Sequence, residues 1–149
     1  MENNWVVREA ERQDLNGLLK LYTQLHQNPL PEIEQSLLQL WDEILQDRRH
    51  HIFLIEKSGK VISSCVMAVI PNLTHNQQPY ALIENVVTDQ EYRKKGCASA
   101  VLAHAKKAAE ENMCYKIMLM TGSKEKATLR FYERSGYNRI DKTAFIQWL

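Results

Sequence analysis

One stretch, residues 83–104, constrains this chain more than any other. Ile83-Glu84-Asn85-Val86-Val87-Thr88 runs into Asp89-Gln90-Glu91-Tyr92-Arg93-Lys94-Lys95-Gly96-Cys97-Ala98 and then Ser99-Ala100-Val101-Leu102-Ala103-His104. Ile83, Val86 and Val87 are branched and apolar, as a pleated, half-buried surface wants. Val101, Leu102 and Ala105 recur at helical spacing, and Ala100, Ala103, Ala108 and Ala109 are strong helix formers. The pattern predicts a strand, a basic turn and a helix. Gly96 allows a tight turn or close approach of a ligand. The amides that open a helix have no partner within it and lie at the dipole's positive end, where phosphate binds. Arg93, Lys94 and Lys95 add charge that a phosphate would satisfy. The same residues read equally well as a solvated strand–helix turn. They form neither the dinucleotide fingerprint nor a Walker loop.

A chain of 149 residues is expected to be one domain over 1–149, burying roughly 70% of its unfolded surface. A net charge of +1 argues against a dedicated nucleic-acid binder, so the basic turn calls for a local anion. Lys94-Lys95 and Lys106-Lys107 have no interleaved aromatics to stack bases. No apolar run is long enough to span a bilayer, so no membrane partner is expected. Met1-Glu2-Asn3-Asn4-Trp5 lacks the basic and apolar regions of a signal peptide. Cys65, Cys97 and Cys114 are odd in number and read as free thiols of a cytoplasmic protein. The histidines His26, His50, His51, His75 and His104 show no metal spacing, so no metal site is expected.

In chain order, Trp5–Arg8 reads as a first strand. A helix follows with Leu15, Leu18, Leu19, Tyr22 and Leu25 on one side and Asp14 as its cap. Asn28-Pro29-Leu30-Pro31 breaks it. A second helix carries Ile33, Leu37, Leu40, Trp41, Ile44 and Leu45 as a core stripe. His51–Glu56 and Val61–Ile70 read as a hairpin turning at Lys57-Ser58-Gly59-Lys60. Pro71–Pro79 is a polar loop, Tyr80–Thr88 the central strand, and Gly96–Glu111 the long helix. Tyr115–Met120 reads as a buried strand parallel to the central one. A short helix at Glu125–Ser135 is capped by Gly136. Tyr137–Ile140 and Thr143–Trp148 read as closing strands.

Arg93-Lys94-Lys95-Gly96-Cys97-Ala98 resembles the Gln/Arg-x-x-Gly-x-Gly/Ala signature of the GNAT N-acetyltransferase superfamily. Leu129-Arg130-Phe131-Tyr132-Glu133-Arg134-Ser135-Gly136-Tyr137 resembles that family's Phe-Tyr-x-x-x-Gly-Phe/Tyr segment. The resemblance implies an α/β, three-layer fold with helices on both faces. Its mixed, mostly antiparallel sheet is splayed between the fourth and fifth strands. It also implies acetyl-CoA as acetyl donor and direct attack by a primary amine in a ternary complex.

By the same resemblance, the amides of Lys94, Lys95, Gly96, Cys97, Ala98 and Ser99 would hold the pyrophosphate, with Arg93 at the signature's first position. The strand edge at Asn85, Val86 and Val87 would pair with the pantetheine arm as another strand would. One of its amides would face the thioester oxygen. Tyr132 is the candidate acid for the leaving thiolate, and Glu84 the candidate base for the ammonium. Thr128 stands where many members carry an Asn contacting pantetheine, and Arg130 would reach the 3′-phosphate or solvent. Tyr22, His26, His75 and Tyr80 are candidates to line the acceptor pocket. The acceptor would be a small-molecule amine or a protein lysine or N-terminus. Family members often pair through terminal strands, and Phe145, Ile146, Trp148 and Leu149 form an apolar C-terminal edge that fits a homodimer and fits core equally well. The competing reading is a non-catalytic acyl-CoA-binding or sensing module; a weaker one is a small nucleotide-binding protein.

Overall fold

The computed structural model describes residues 4–149, and Met1–Asn3, where the absence of a signal peptide was read, lie outside it. Strands β1 (Arg8–Glu9), β2 (His50–Lys57), β3 (Lys60–Ile70), β4 (Tyr80–Thr88) and β5 (Ile117–Leu119) form one sheet in sequence order. All neighbours are antiparallel except β4 and β5, which run parallel. Helices α1 (Leu15–Tyr22) and α2 (Gln35–Gln46) precede β2, α3 (Cys97–Glu111) joins β4 to β5, and α4 (Lys126–Arg134) follows β5.

The β2–β3 hairpin turns on Ser58 and Gly59, at φ 52° and 78°. Two left-handed residues match the twist of the strands they join. Apolar side chains stand on both faces of β2 and β3, so the sheet carries two cores. Phe53, Ile55, Met67, Ile83, Val101, Leu102 and Ala105 pack on the α3 side, with Phe131 and Tyr132 of α4 against them. Leu18, Leu21, Trp41, Ile52, Leu54, Val66 and Val87 pack on the α1 side. The expected layered sheet with helices on both faces is therefore present.

β4 is bulged. Ser64 pairs with Val87 and Val66 with Glu84, so Cys65 faces both Asn85 and Val86. Asn85 takes φ 51° there. A bulge of this kind leaves a residue unpaired and bends the strand. On its other edge β4 pairs with β5 only through Ala81, Leu82 and Ile83. From Glu84 to Thr88 that edge has no strand beside it among the described residues, which is the expected splay.

The structure corrects several expectations. Asp14 does not cap α1; its carboxylate accepts from the Glu11 amide at 2.7 Å and from both terminal nitrogens of Arg8. Of the α2 stripe, Trp41 is 4% exposed and Ile44 and Leu45 pack half-buried against the α1-side core, whereas Leu40 is 51% exposed and Ile33 precedes the helix. The first strand is two residues long, Arg8–Glu9, rather than Trp5–Arg8. No strand forms at Tyr137–Ile140 or Thr143–Trp148. Strand propensity without a ladder partner does not make a strand. Here Arg139 instead pairs back with Glu133 at 2.9 Å, and the Asp141 amide donates to the Asn138 side chain at 3.1 Å. Gly136 does close α4: its amide donates to Glu133 and that of Tyr137 to Tyr132, the two bonds of a Schellman ending.

Candidate functional site

The loop between β4 and α3 is tied down at several points. The Asp89 carboxylate caps the turn over Gln90–Tyr92 by accepting from the Glu91 amide at 3.0 Å. Arg93 Nε donates to the Thr88 carbonyl at 3.2 Å, and Lys95 Nζ to the Glu91 carbonyl at 2.8 Å. Trp5 Nε1 donates to the Lys95 carbonyl at 2.7 Å. The Tyr92 ring lies among the Lys57, Lys60 and Lys95 ammonium groups, 5.1–5.8 Å from its centroid. Cations so placed are held by the ring's negative face.

Lys94 and Gly96 both take left-handed backbone, at φ 59° and 81°, and Gly96 is the N-cap of α3. A Cβ at Gly96 would find only Trp5 Nε1, at 4.0 Å, so the space over the turn is open. No residue within the helix bonds the first-turn amides. Arg93 and Lys95 spend their side chains on the loop itself, whereas Lys94 is exposed with no side-chain partner among the described residues. Cys97 is 1% exposed in the α3-side core, and burial pushes its thiol up. Only its backbone amide faces the turn. A diphosphate fits this cradle of open left-handed backbone, unbonded amides and adjacent cations.

Tyr132, on α4, is half-buried against the α3-side core. Phe131 and Tyr137 meet it edge-on, at 5.0 and 6.3 Å. Burial pushes its phenol above the ordinary value, and Cys65 adds to the shift. Cys65 itself is pushed up to about 12 by burial, so neither group carries charge at neutral pH. Thr128 lies one helical turn before Tyr132, half-buried.

On the other face of the sheet a cleft of about 300 Å³ opens, lined by Leu19, Tyr22, Leu25, Asn28, Pro29, Pro31 and Asn85. Ile83 packs on the α3 side, so alternation along β4 turns Glu84 to the α1 side, where this cleft lies. Glu84 is exposed and has no ion-pair partner among the described residues. Burial raises the Tyr22 phenol to about 12. The Ser64 hydroxyl lies near enough to oppose that shift, yet neither hydroxyl completes a hydrogen bond. Cradle and cleft thus lie on the two sides of β4, joined where its edge is unpaired.

Of the sequence candidates, Tyr22 and Asn85 meet in the cleft, and Glu84 joins them on the same face. Asn85 and Val86 form the bulge, while Val87 is 5% exposed with its side chain in the α1-side core, leaving only its backbone available. His26 is exposed beyond α1 and does not line the cleft. Tyr80 lies at the joined end of the sheet, edge-on to Tyr115 at 6.3 Å and beneath Lys116. His75 stacks on Tyr115 at 4.0 Å in the same place. Sequence reasoning missed Gln24, whose side chain bonds the Asp89 carboxylate and the Gln90 amide. Among the described residues no group of His, Cys, Asp and Glu is arranged to hold a metal.

The model of the family described as "Acetyltransferase (GNAT) family" matches residues 15–137. A glucosamine 6-phosphate N-acetyltransferase of Trypanosoma brucei brucei is 27% identical over 142 residues, covering 91% of this chain and 90% of that one. Among solved structures, a putative acetyltransferase from Agrobacterium tumefaciens is 35% identical with a TM-score of 0.89, covering 97% of this chain and 99% of that one. The glucosamine-6-phosphate N-acetyltransferase of Arabidopsis thaliana shares the fold at 22% identity, with a TM-score of 0.84 and 99% of each chain covered.

Proposed function

Because the chain belongs to the GNAT acetyltransferase family and is thereby an N-acetyltransferase, we propose that it moves an acetyl group from acetyl-CoA to a primary amine by direct attack in a ternary complex. The observation that carries the reading is the open left-handed turn at Gly96, placed directly after the unpaired half of β4. A diphosphate on the amides of Lys94–Ser99 sets the pantetheine arm along the free edge of Asn85–Val87, where its amides find backbone partners. An amide at the bulge then meets the thioester oxygen as charge builds there, a donor worth about 2.7–4 kcal/mol.

Glu84 takes the proton that the ammonium loses before attack, directly or through water. The protonated Tyr132 phenol hydrogen-bonds to, or protonates, the departing thiolate. Thr128 stands beside the arm. Tyr22 and its neighbours receive the amine from the opposite side of β4. The free, largely buried cysteines suit a reducing compartment, and we place the protein in the cytoplasm. The exposed apolar side chains beyond residue 139 support a homodimer.

Calorimetric titration with acetyl-CoA, beside ATP and NADH, tests the reading. Micromolar binding of acetyl-CoA alone, abolished by Gly96→Val, is expected. Absence of binding by both acetyl-CoA and free CoA would remove the site assignment.

A further inference from the structure

We propose that the acceptor is a small primary amine on an apolar or hydroxylated body that carries no phosphate or other anionic group. This rests on the N-acetyltransferase reading above and names the substrate class of that same site.

The cleft is small for a ligand site. Its walls are leucine and proline, and its polar contributors are Tyr22, Asn28 and Asn85; no Lys, Arg or His lines it. A phosphate is held by charge-assisted donors, from cations or from a set of free amides. Nothing in the lining supplies them. The Asn28 side-chain amide is already engaged, donating to the Leu25 carbonyl and, at 3.4 Å, to that of Tyr22. The Tyr22 hydroxyl is itself buried, so the lining presents apolar wall and side-chain amide, which suit an uncharged group. The Tyr22 phenol, pushed up to about 12, stays neutral across the working range.

Glu84 carries a formal charge on this side of β4, and it has no counter-ion among the described residues. It attracts an ammonium and repels an anion. A phosphate lowered into the cleft would be desolvated against leucine and proline with no opposite charge, a costly arrangement. The cleft is therefore built for a different acceptor from the sugar phosphate in the name of the trypanosomal relative.

Thiol release at saturating acetyl-CoA, measured with 2-phenylethylamine, glucosamine and glucosamine 6-phosphate, tests this. The expected kcat/KM for each phosphate-free amine is at least ten-fold above that for glucosamine 6-phosphate. Pro31→Lys, an exposed change that adds a cation to the lining, is expected to narrow the ratio at least five-fold. Glucosamine 6-phosphate turned over as well as the other two overturns the proposal. So does acetyl-CoA binding without turnover of either phosphate-free amine. Failure to bind acetyl-CoA at all is a separate result, which removes the N-acetyltransferase reading beneath it.

Discussion

Gln24 and Asp89 join two loops that are 65 residues apart in the chain. Gln24 Nε2 donates to the Asp89 carboxylate at 3.0 Å, and Gln24 Oε1 accepts from the Gln90 amide at 2.9 Å. Asp89 is 2% exposed and also holds Lys60 at 2.8 Å. Gln24 lies just past α1, beside the lining of the cleft; Asp89 opens the turn that leads to Gly96. One side chain therefore ties the cleft beside α1 to the loop that leads to Gly96.

Gln24→Ala removes both bonds and leaves the Gln90 amide unmatched. The expected loss is about 1 kcal/mol, or roughly 2–4 °C in Tm for a chain of this size. If the tie also sets the spacing of the two sites, KM should rise for both acetyl-CoA and the amine while kcat changes less. A lower Tm with both KM values unchanged would reduce Gln24 to a structural brace.

Much of this arrangement is legible in the sequence. The Lys57-Ser58-Gly59-Lys60 turn sits between two apolar runs, and the hairpin forms there because residues and turn geometry agree. The Gly96 turn is legible for the same reason. The bulge is not: Asn85 tolerates left-handed backbone better than most residues, but nothing local distinguishes it from a strand Asn. The Gln24 tie depends on two distant loops meeting, which no periodicity reports. His26 and Tyr80 looked like lining residues by type, yet the chain carries His26 past the cleft and the β4–β5 pairing holds Tyr80 at the closed end of the sheet. Thr143–Trp148 has strand-forming residues and no adjacent edge.

Acid should loosen the start of the fold first. Asp14 is 4% exposed, and its hydrogen bond from Arg8 holds its carboxyl below the ordinary value near 3.8 against the opposing effect of burial. A carboxyl whose folded value is depressed contributes its full stabilisation above the unfolded value and loses it as pH falls through the folded one. Asp14→Asn should therefore cost about 2 kcal/mol at pH 7, the scale of bonds to a charged group. The gap to wild type should narrow as pH falls below the ordinary carboxyl value and close once Asp14 is protonated in the folded state as well. Urea melts across pH 2.5–7 would show this convergence; a constant gap would mean the charge is not the source.

Tyr132→Phe isolates the proton from the packing, since the ring and its contacts with Phe131 and Tyr137 remain. We expect kcat to fall ten-fold or more with acetyl-CoA affinity kept. Burial, helped by Cys65, raises the phenol from 10.0, so the acid form persists through neutrality. The alkaline limb of the wild-type kcat profile should thus lie above pH 10 and vanish in the variant. An unchanged kcat would remove the assignment.

The C-terminal segment predicts its own partner. Ile140 is 89% exposed, Phe145 91% and Trp148 85%. Side chains of that size left in water in one short segment mark an association surface. Among the described residues the sheet ends at β5, whose outer edge has no strand beside it, and an open edge takes up a further strand readily. Residues 143–149 of a second copy would supply one: Phe145, Ile146 and Trp148 are strand formers, and Thr143 and Gln147 alternate with the apolar positions Ala144, Ile146 and Trp148. Sedimentation velocity should find a dimer for the full chain and a monomer after removal of residues 141–149. The double substitution Phe145→Ser, Trp148→Ser should shift the dimer midpoint at least ten-fold toward higher concentration. A monomeric full chain at micromolar concentration would exclude the exchange and leave the segment to pack within its own chain.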